Sequence, residues 1–262
     1  MNKEELLKLA NDDRFISGIY NYCDRWCERC PFTGRCMNFA MAEEQFPDQE
    51  NQDIRNEAFW EGLSETFQMT LELLEELAER EGIDLDAVDV EEEAEQEALN
   101  DEFAKTHKCC RMGMAYAEMV NEWFNAAQEP SDKEEDSIEI EIQDADPFGK
   151  HASCGEALEV IRWYQYQIYV KLMRAVRGRL REQEELFDEF AKDSDGSAKV
   201  ALIGIDRSIG AWGELRTCLF EHEAKILDIL MHLEGLRRNV EETFPAAREF
   251  IRPGFDRVDL NS

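Results

Sequence analysis

Apolar residues recur at intervals of three and four along most of this chain, the period of an amphipathic α-helix. From Asp53 to Glu81, the residues Trp60, Leu63, Phe67, Leu71, Leu74 and Ala78 share one face, and Gly82 ends the run. A second stripe, Met112, Tyr116, Met119, Trp123 and Ala127, predicts a helix that starts within Val90–Ala98 and stops before Pro130. Between Gly155 and Lys192 the stripe is Ile161, Tyr164, Ile168, Leu172 and Ala175. Asp193-Ser194-Asp195-Gly196-Ser197 then supplies a turn with several N-cap residues. A fourth helix follows, carrying Leu202, Ile205, Ile209, Trp212, Leu219, Ile226, Leu230 and Leu233 to about Val240. Shorter helical pieces are predicted near residues 3–10, 13–30 and 35–46, and a short C-terminal helix follows Phe244-Pro245. Only Ser137–Ile142, with its SIEIEI alternation, predicts a brief strand.

These elements predict an all-α fold: a bundle of about four long helices with a short, cysteine-bearing N-terminal helical lobe. Residues 1–48 form that lobe in this reading. Residues 49–262 form the bundle, with an acidic crossover loop near 129–153.

Charge changes the picture. Sixty acidic against 29 basic residues give a formal net charge of -31, which repels nucleic-acid phosphates and anionic lipid. Basic proteins and cations are favoured partners, and mimicry of nucleic acid is a further possibility for so acidic a surface. The acid-rich stretches 84–102 and 129–146 read as a solvated helix face and a loop, or as a surface for a basic protein partner. No apolar run of about 18 residues occurs, so no membrane span is expected. The first 15 residues hold no apolar signal core. A cytoplasmic location is therefore expected, in which the eight cysteines serve as thiols and metal ligands rather than disulfides.

The candidate chemistry lies in Cys23-Asp24-Arg25-Trp26-Cys27-Glu28-Arg29-Cys30-Pro31-Phe32-Thr33-Gly34-Arg35-Cys36. If this segment is α-helical to Cys30, then Cys23, Cys27 and Cys30 fall on one face, and Pro31 and Gly34 return Cys36 over the helix end. Arg25, Arg29 and Arg35 would lower the thiol pKa values. Four thiolates so arranged predict one metal centre, either a 4Fe–4S cluster or zinc. The alternative is structural thiols or a redox pair. Cys27 to Cys36 resembles the cluster loop of the endonuclease III and adenine glycosylase family in its C-x2-C-x5-C ending and its proline after the middle cysteine. The likeness covers about ten residues and departs at Cys23, which is separated from Cys27 by three intervening residues instead of six. It implies a cluster, and neither a DNA-reading face nor that family's activity. Cys23, Cys27 and Cys30 are also similar in spacing to radical enzymes that use S-adenosylmethionine, although the parallel barrel those enzymes need has no counterpart here. The cluster is preferred to zinc by a small margin.

Other candidates are less specific. His107 and Cys110 share a helix face with Phe103, which reads as core, or as half of a second site with His151 and Cys154. Cys109 adjoins them, and Cys218 reads as a packing residue. Glu223 lies on an apolar stripe and needs a partner such as Arg216. Gly204, Gly210 and Gly213 predict a close approach of another backbone or a ligand. The function expected from all this is a metal-binding helical protein serving as a binding or adaptor module. The alternatives are an iron–sulfur redox protein or enzyme with a pocket in the bundle near Gly204–Gly213 and Glu223, and an acidic nucleic-acid mimic.

Overall fold

The structure is a computed structural model, and it describes residues 3–45, 55–85, 90–128, 150–184 and 193–256. Among these residues there are eight α-helices and no strand: α1 (Lys3–Ala10), α2 (Met37–Gln45), α3 (Glu57–Glu81), α4 (Val90–Thr106), α5 (Lys108–Gln128), α6 (Lys150–Glu184), α7 (Asp193–Cys218) and α8 (Glu223–Thr243). Short 3-10 turns cover Ile19–Tyr22, Cys27–Arg29, Thr33–Arg35, Phe220–His222 and Ala247–Glu249. The expected SIEIEI strand and most of the acidic crossover loop lie outside the described residues. No helix among the described residues is long and apolar enough to cross a membrane.

The chain divides into two compact units, Met1–Gln96 with Arg252–Ser262, and Glu97–Ile251. The all-α class is right, but the expected bundle of about four long helices is corrected to eight helices among the described residues. Two of the expected long helices are broken, and a third, α3, belongs to the first unit rather than the bundle.

Each break coincides with a specific interaction. His107 stands between α4 and α5, and its Nδ1 accepts the Cys109 N–H at 3.2 Å, the role of an N-cap side chain. The expected fourth helix stops at Cys218, which is joined by a disulfide to Cys154 of α6. The 3-10 turn Phe220–His222 then redirects the chain into α8.

In the second unit, α6 packs most extensively on α7; α7 packs on α8, and α5 lies against both α6 and α8. The predicted α6 stripe is the core: Ile161, Tyr164, Ile168, Leu172 and Ala175 are buried, as are Leu202, Ile205, Trp212 and Leu215 of α7. The helices approach closely at Gly204, where an added Cβ would meet Tyr164 Cδ1 at 2.9 Å and Ile168 Cγ1 at 3.1 Å. Gly210 and Gly213 have no atom within 4 Å of that position, so a close approach expected at three glycines occurs at one, and there it is made by side chains rather than by another backbone. Glu182 of α6 holds the start of α7, accepting the Ser194 N–H at 3.0 Å and its hydroxyl at 2.7 Å. The acidic face of α4 is partly neutralised within the unit, Asp101 pairing with Arg177 at 2.7 Å and Glu97 with Arg181 at 2.6 Å.

In the first unit, α3 ends as expected. Gly82 takes φ 69°, where a side chain would be strained, and Ile83 donates back to the Ala78 carbonyl at 2.8 Å. The apolar stripe of α3 is largely exposed at Trp60, Phe67, Leu71 and Leu74, and buried at Ala78.

Candidate functional site

The N-terminal cysteine segment is not an α-helix. With the residues just before it, it forms three consecutive 3-10 turns, Ile19–Tyr22, Cys27–Arg29 and Thr33–Arg35, joined by irregular backbone. Cys23, Cys30 and Cys36 each end a turn with extended backbone, and Cys27 opens the middle one. Between the first two turns Arg25 adopts φ 56°, a left-handed conformation rare for a residue with a side chain. The Asp24 carboxylate supports that bend by accepting the Trp26 N–H at 3.3 Å, while Cys27 donates to the Arg25 carbonyl at 3.0 Å.

An aligned helical face for Cys23, Cys27 and Cys30 therefore does not form, since offsets of four and seven superpose only on an α-helix. Among the described residues, no group of three or more His, Cys, Asp or Glu side chains is placed to hold a metal ion. The expected metal centre at Cys23, Cys27, Cys30 and Cys36 is corrected accordingly, and with it the 4Fe–4S and zinc assignments. The functions built on that centre, a metal-fixed adaptor module and an iron–sulfur redox protein or enzyme, fall together with it, and nucleic-acid mimicry gains no support.

The four cysteines nonetheless line one cavity of about 30 Å³ with aromatic walls from Trp26, Phe32, Phe39 and Phe255. Cys27 is exposed, and the other three are half-buried. Local backbone engages two of the sulfurs: Cys23 Sγ donates to the Tyr20 carbonyl at 3.5 Å, and Cys30 Sγ accepts the Phe32 N–H at 3.4 Å. One wall residue, Phe255, comes from far along the chain. Phe255 meets Phe32 edge to face at 5.1 Å between ring centroids, under an Arg252 guanidinium that also pairs with Asp256 at 3.0 Å. Gly254, at φ 78°, sits where a Cβ would lie 2.9 Å from Cδ1 of both Ile16 and Ile19. Nothing local to the cysteines signals this wall in the sequence; the only hint is an aromatic residue directly after Pro253-Gly254.

The electrostatics also differ from expectation. Although Cys27 is exposed as a residue, partial desolvation of its thiol pushes it above its ordinary value of 9.0, and the negative charges of Cys23, Cys30, Cys36 and Glu28 add to the shift. The neighbouring arginines do not reverse it: Arg29 lies over the Trp26 ring at 4.3 Å, and Arg35 Nε donates to the Arg14 carbonyl at 3.4 Å.

The remaining candidates separate. Cys154 is disulfide-bonded to Cys218, so it is no free ligand, and Cys218 is more than a packing residue. Cys109 and Cys110 are buried thiols. Burial raises both pKa values, that of Cys110 to about 12. Cys109 Sγ donates to Asn239 Oδ1 at 3.2 Å. His151 falls in the first turn of α6. Glu223 pairs with Arg216 at 2.9 Å on the surface, an ion pair of small energetic weight. No family model matches this chain, and neither do curated proteins or solved structures, so the likeness of Cys27–Cys36 to a glycosylase cluster loop stays confined to those ten residues.

Proposed function

We propose that the first unit is a thiol–disulfide exchange module centred on Cys23, Cys27, Cys30 and Cys36. The observation that carries this reading is the gathering of four thiols around one small aromatic-walled cavity. The charges of Cys23, Cys30 and Cys36 disfavour the Cys27 thiolate, and a disulfide removes two thiols of the cluster at once. Cys27, the exposed member, attacks a sulfur of an incoming disulfide as its thiolate and expels one thiolate of that substrate. A neighbouring cysteine of the cluster, also as thiolate, then attacks Cys27 Sγ and displaces the second. The balance is two cluster thiols oxidised to one disulfide and one substrate disulfide reduced to two thiols. The net charge of -31 supports a basic protein as the disulfide-bearing partner. The cytoplasm, where glutathione turns such thiols over, is the location that suits it.

The test is alkylation and mass spectrometry of the full chain equilibrated at several ratios of reduced to oxidised glutathione. Pairs among the four cysteines should lose alkylation together and recover it with dithiothreitol. Cys27→Ser should remove the fastest phase. Because the Cys27 pKa is raised, its thiolate is scarce at neutral pH, and the rate should climb about tenfold per pH unit from pH 7 to pH 9. Four thiols that stay fully alkylatable at every glutathione ratio would disprove the proposal.

A further inference from the structure

A second cavity, independent of the cysteine cluster, lies in the second unit among the ends of α4, α6 and α8. Its volume is about 330 Å³ and its walls are Phe103, His107, Val176, Arg179, Leu180, Glu242, Thr243 and Phe244. That is the lower end of the range for small-molecule sites. The apolar part is firm at its base, where Val176 and Phe244 are buried; Phe103 and Leu180 complete it.

The polar part is differentiated by charge. Arg179 spends one N–H on the Thr243 carbonyl and lies over the Phe244 ring at 5.5 Å, an arrangement that fixes the position of a guanidinium with five donors. His107 accepts the Cys109 N–H through Nδ1, so its proton resides on Nε2, leaving that atom a donor. Burial and the nearby Arg179 charge lower the pKa of His107 below its ordinary 6.5, which keeps the ring neutral at pH 7. Glu242 supplies the opposite charge at the same cavity. A purely anionic ligand would meet Glu242, and a purely cationic one would meet Arg179. A zwitterion with an apolar body satisfies both.

We propose that this cavity binds a free α-amino acid with an aromatic side chain, its carboxylate on Arg179 and His107 Nε2–H, its ammonium on Glu242, and its ring among Phe103, Val176, Leu180 and Phe244. Carboxylate on guanidinium is a charge-assisted contact that the neutral amide of the same molecule cannot reproduce.

The experiment is titration calorimetry of the full chain with L-phenylalanine, L-phenylalaninamide and 3-phenylpropanoate as probes. L-Phenylalanine should bind saturably, and each analogue, which lacks one of the two charges, should bind at least about tenfold more weakly. Arg179→Met should weaken L-phenylalanine by at least about tenfold, and Glu242→Gln should remove the advantage of the amino acid over 3-phenylpropanoate. The comparison of probes on the unmodified protein does not depend on either variant folding. Absence of saturable L-phenylalanine binding up to about 10 mM, a weaker affinity than small-molecule sites of this size need, would overturn the proposal. So would equal affinity for the amino acid and its two analogues.

Discussion

Gly204 and Gly210 are six residues apart on α7 and have opposite reasons for being glycine. At Gly204 the neighbours of an added methyl group are the Tyr164 and Ile168 side chains, both buried and unable to swing away. Gly204→Ala should therefore cost about 1–3 kcal/mol of overpacking, more than the roughly 1 kcal/mol gained in helix propensity. Gly210 faces open space, and Gly210→Ala should stabilise by up to about 1 kcal/mol. Urea denaturation of the two variants checks both signs. The sequence marks three glycines as anomalous in a helix without separating them, because the distinction lies in which one faces α6. The same limit applies to Cys27. Its spacing from Cys23 and Cys30 was legible, but its pKa depends on burial and on side chains brought near by folding.

At the scale of elements, periodicity located the helices and misjudged their continuity. The α6 stripe is core throughout, as are Tyr116 and Trp123 of α5 and Leu202, Ile205 and Trp212 of α7, whereas Met112, Met119 and Ile209 are only half-buried. Yet an imidazole acting as a cap at His107 divides one predicted helix, and a disulfide at Cys218 marks the end of another. Neither feature disturbs the apolar period that predicted the helix. The Cys154–Cys218 bond ties the first turns of α6 to the last residue of α7 across a sequence separation of 64. Closing a loop of that size removes enough unfolded-chain entropy to contribute about 4 kcal/mol. Cys218→Ser should lower the urea midpoint of the second unit by an amount equivalent to about 2–4 kcal/mol, with little change in helical circular dichroism. Dithiothreitol should have the same effect on the unmodified protein and none on the variant.

For the whole molecule, charge dominates. Acidic residues outnumber basic ones by 60 to 29, and the described ion pairs are mostly at the surface, as with Arg216–Glu223 and Arg238–Glu234. Screening weakens such pairs, but it weakens the repulsion among the excess carboxylates more, because those are far more numerous. The thermal midpoint should rise by several degrees when sodium chloride is raised from about 0.02 to about 0.5 M, where the screening length falls well below 10 Å. A midpoint that falls with salt would mean that specific pairs outweigh net repulsion.

By itself the sequence determined the all-α class, the buried faces of the central helices, the acidic surface and the clustering of four cysteines within 14 residues. All of these follow from periodicity, composition or short spacing, which act along the chain. Tertiary structure alone decided that the cysteines sit at 3-10 turns around an aromatic cavity to which Phe255, more than 200 residues away in sequence, contributes a wall. It also decided that Cys154 finds Cys218, and that His107, Arg179 and Glu242 line one pocket. Those outcomes depend on which surfaces bury one another, and contacts between residues tens to hundreds of positions apart leave no local period to read.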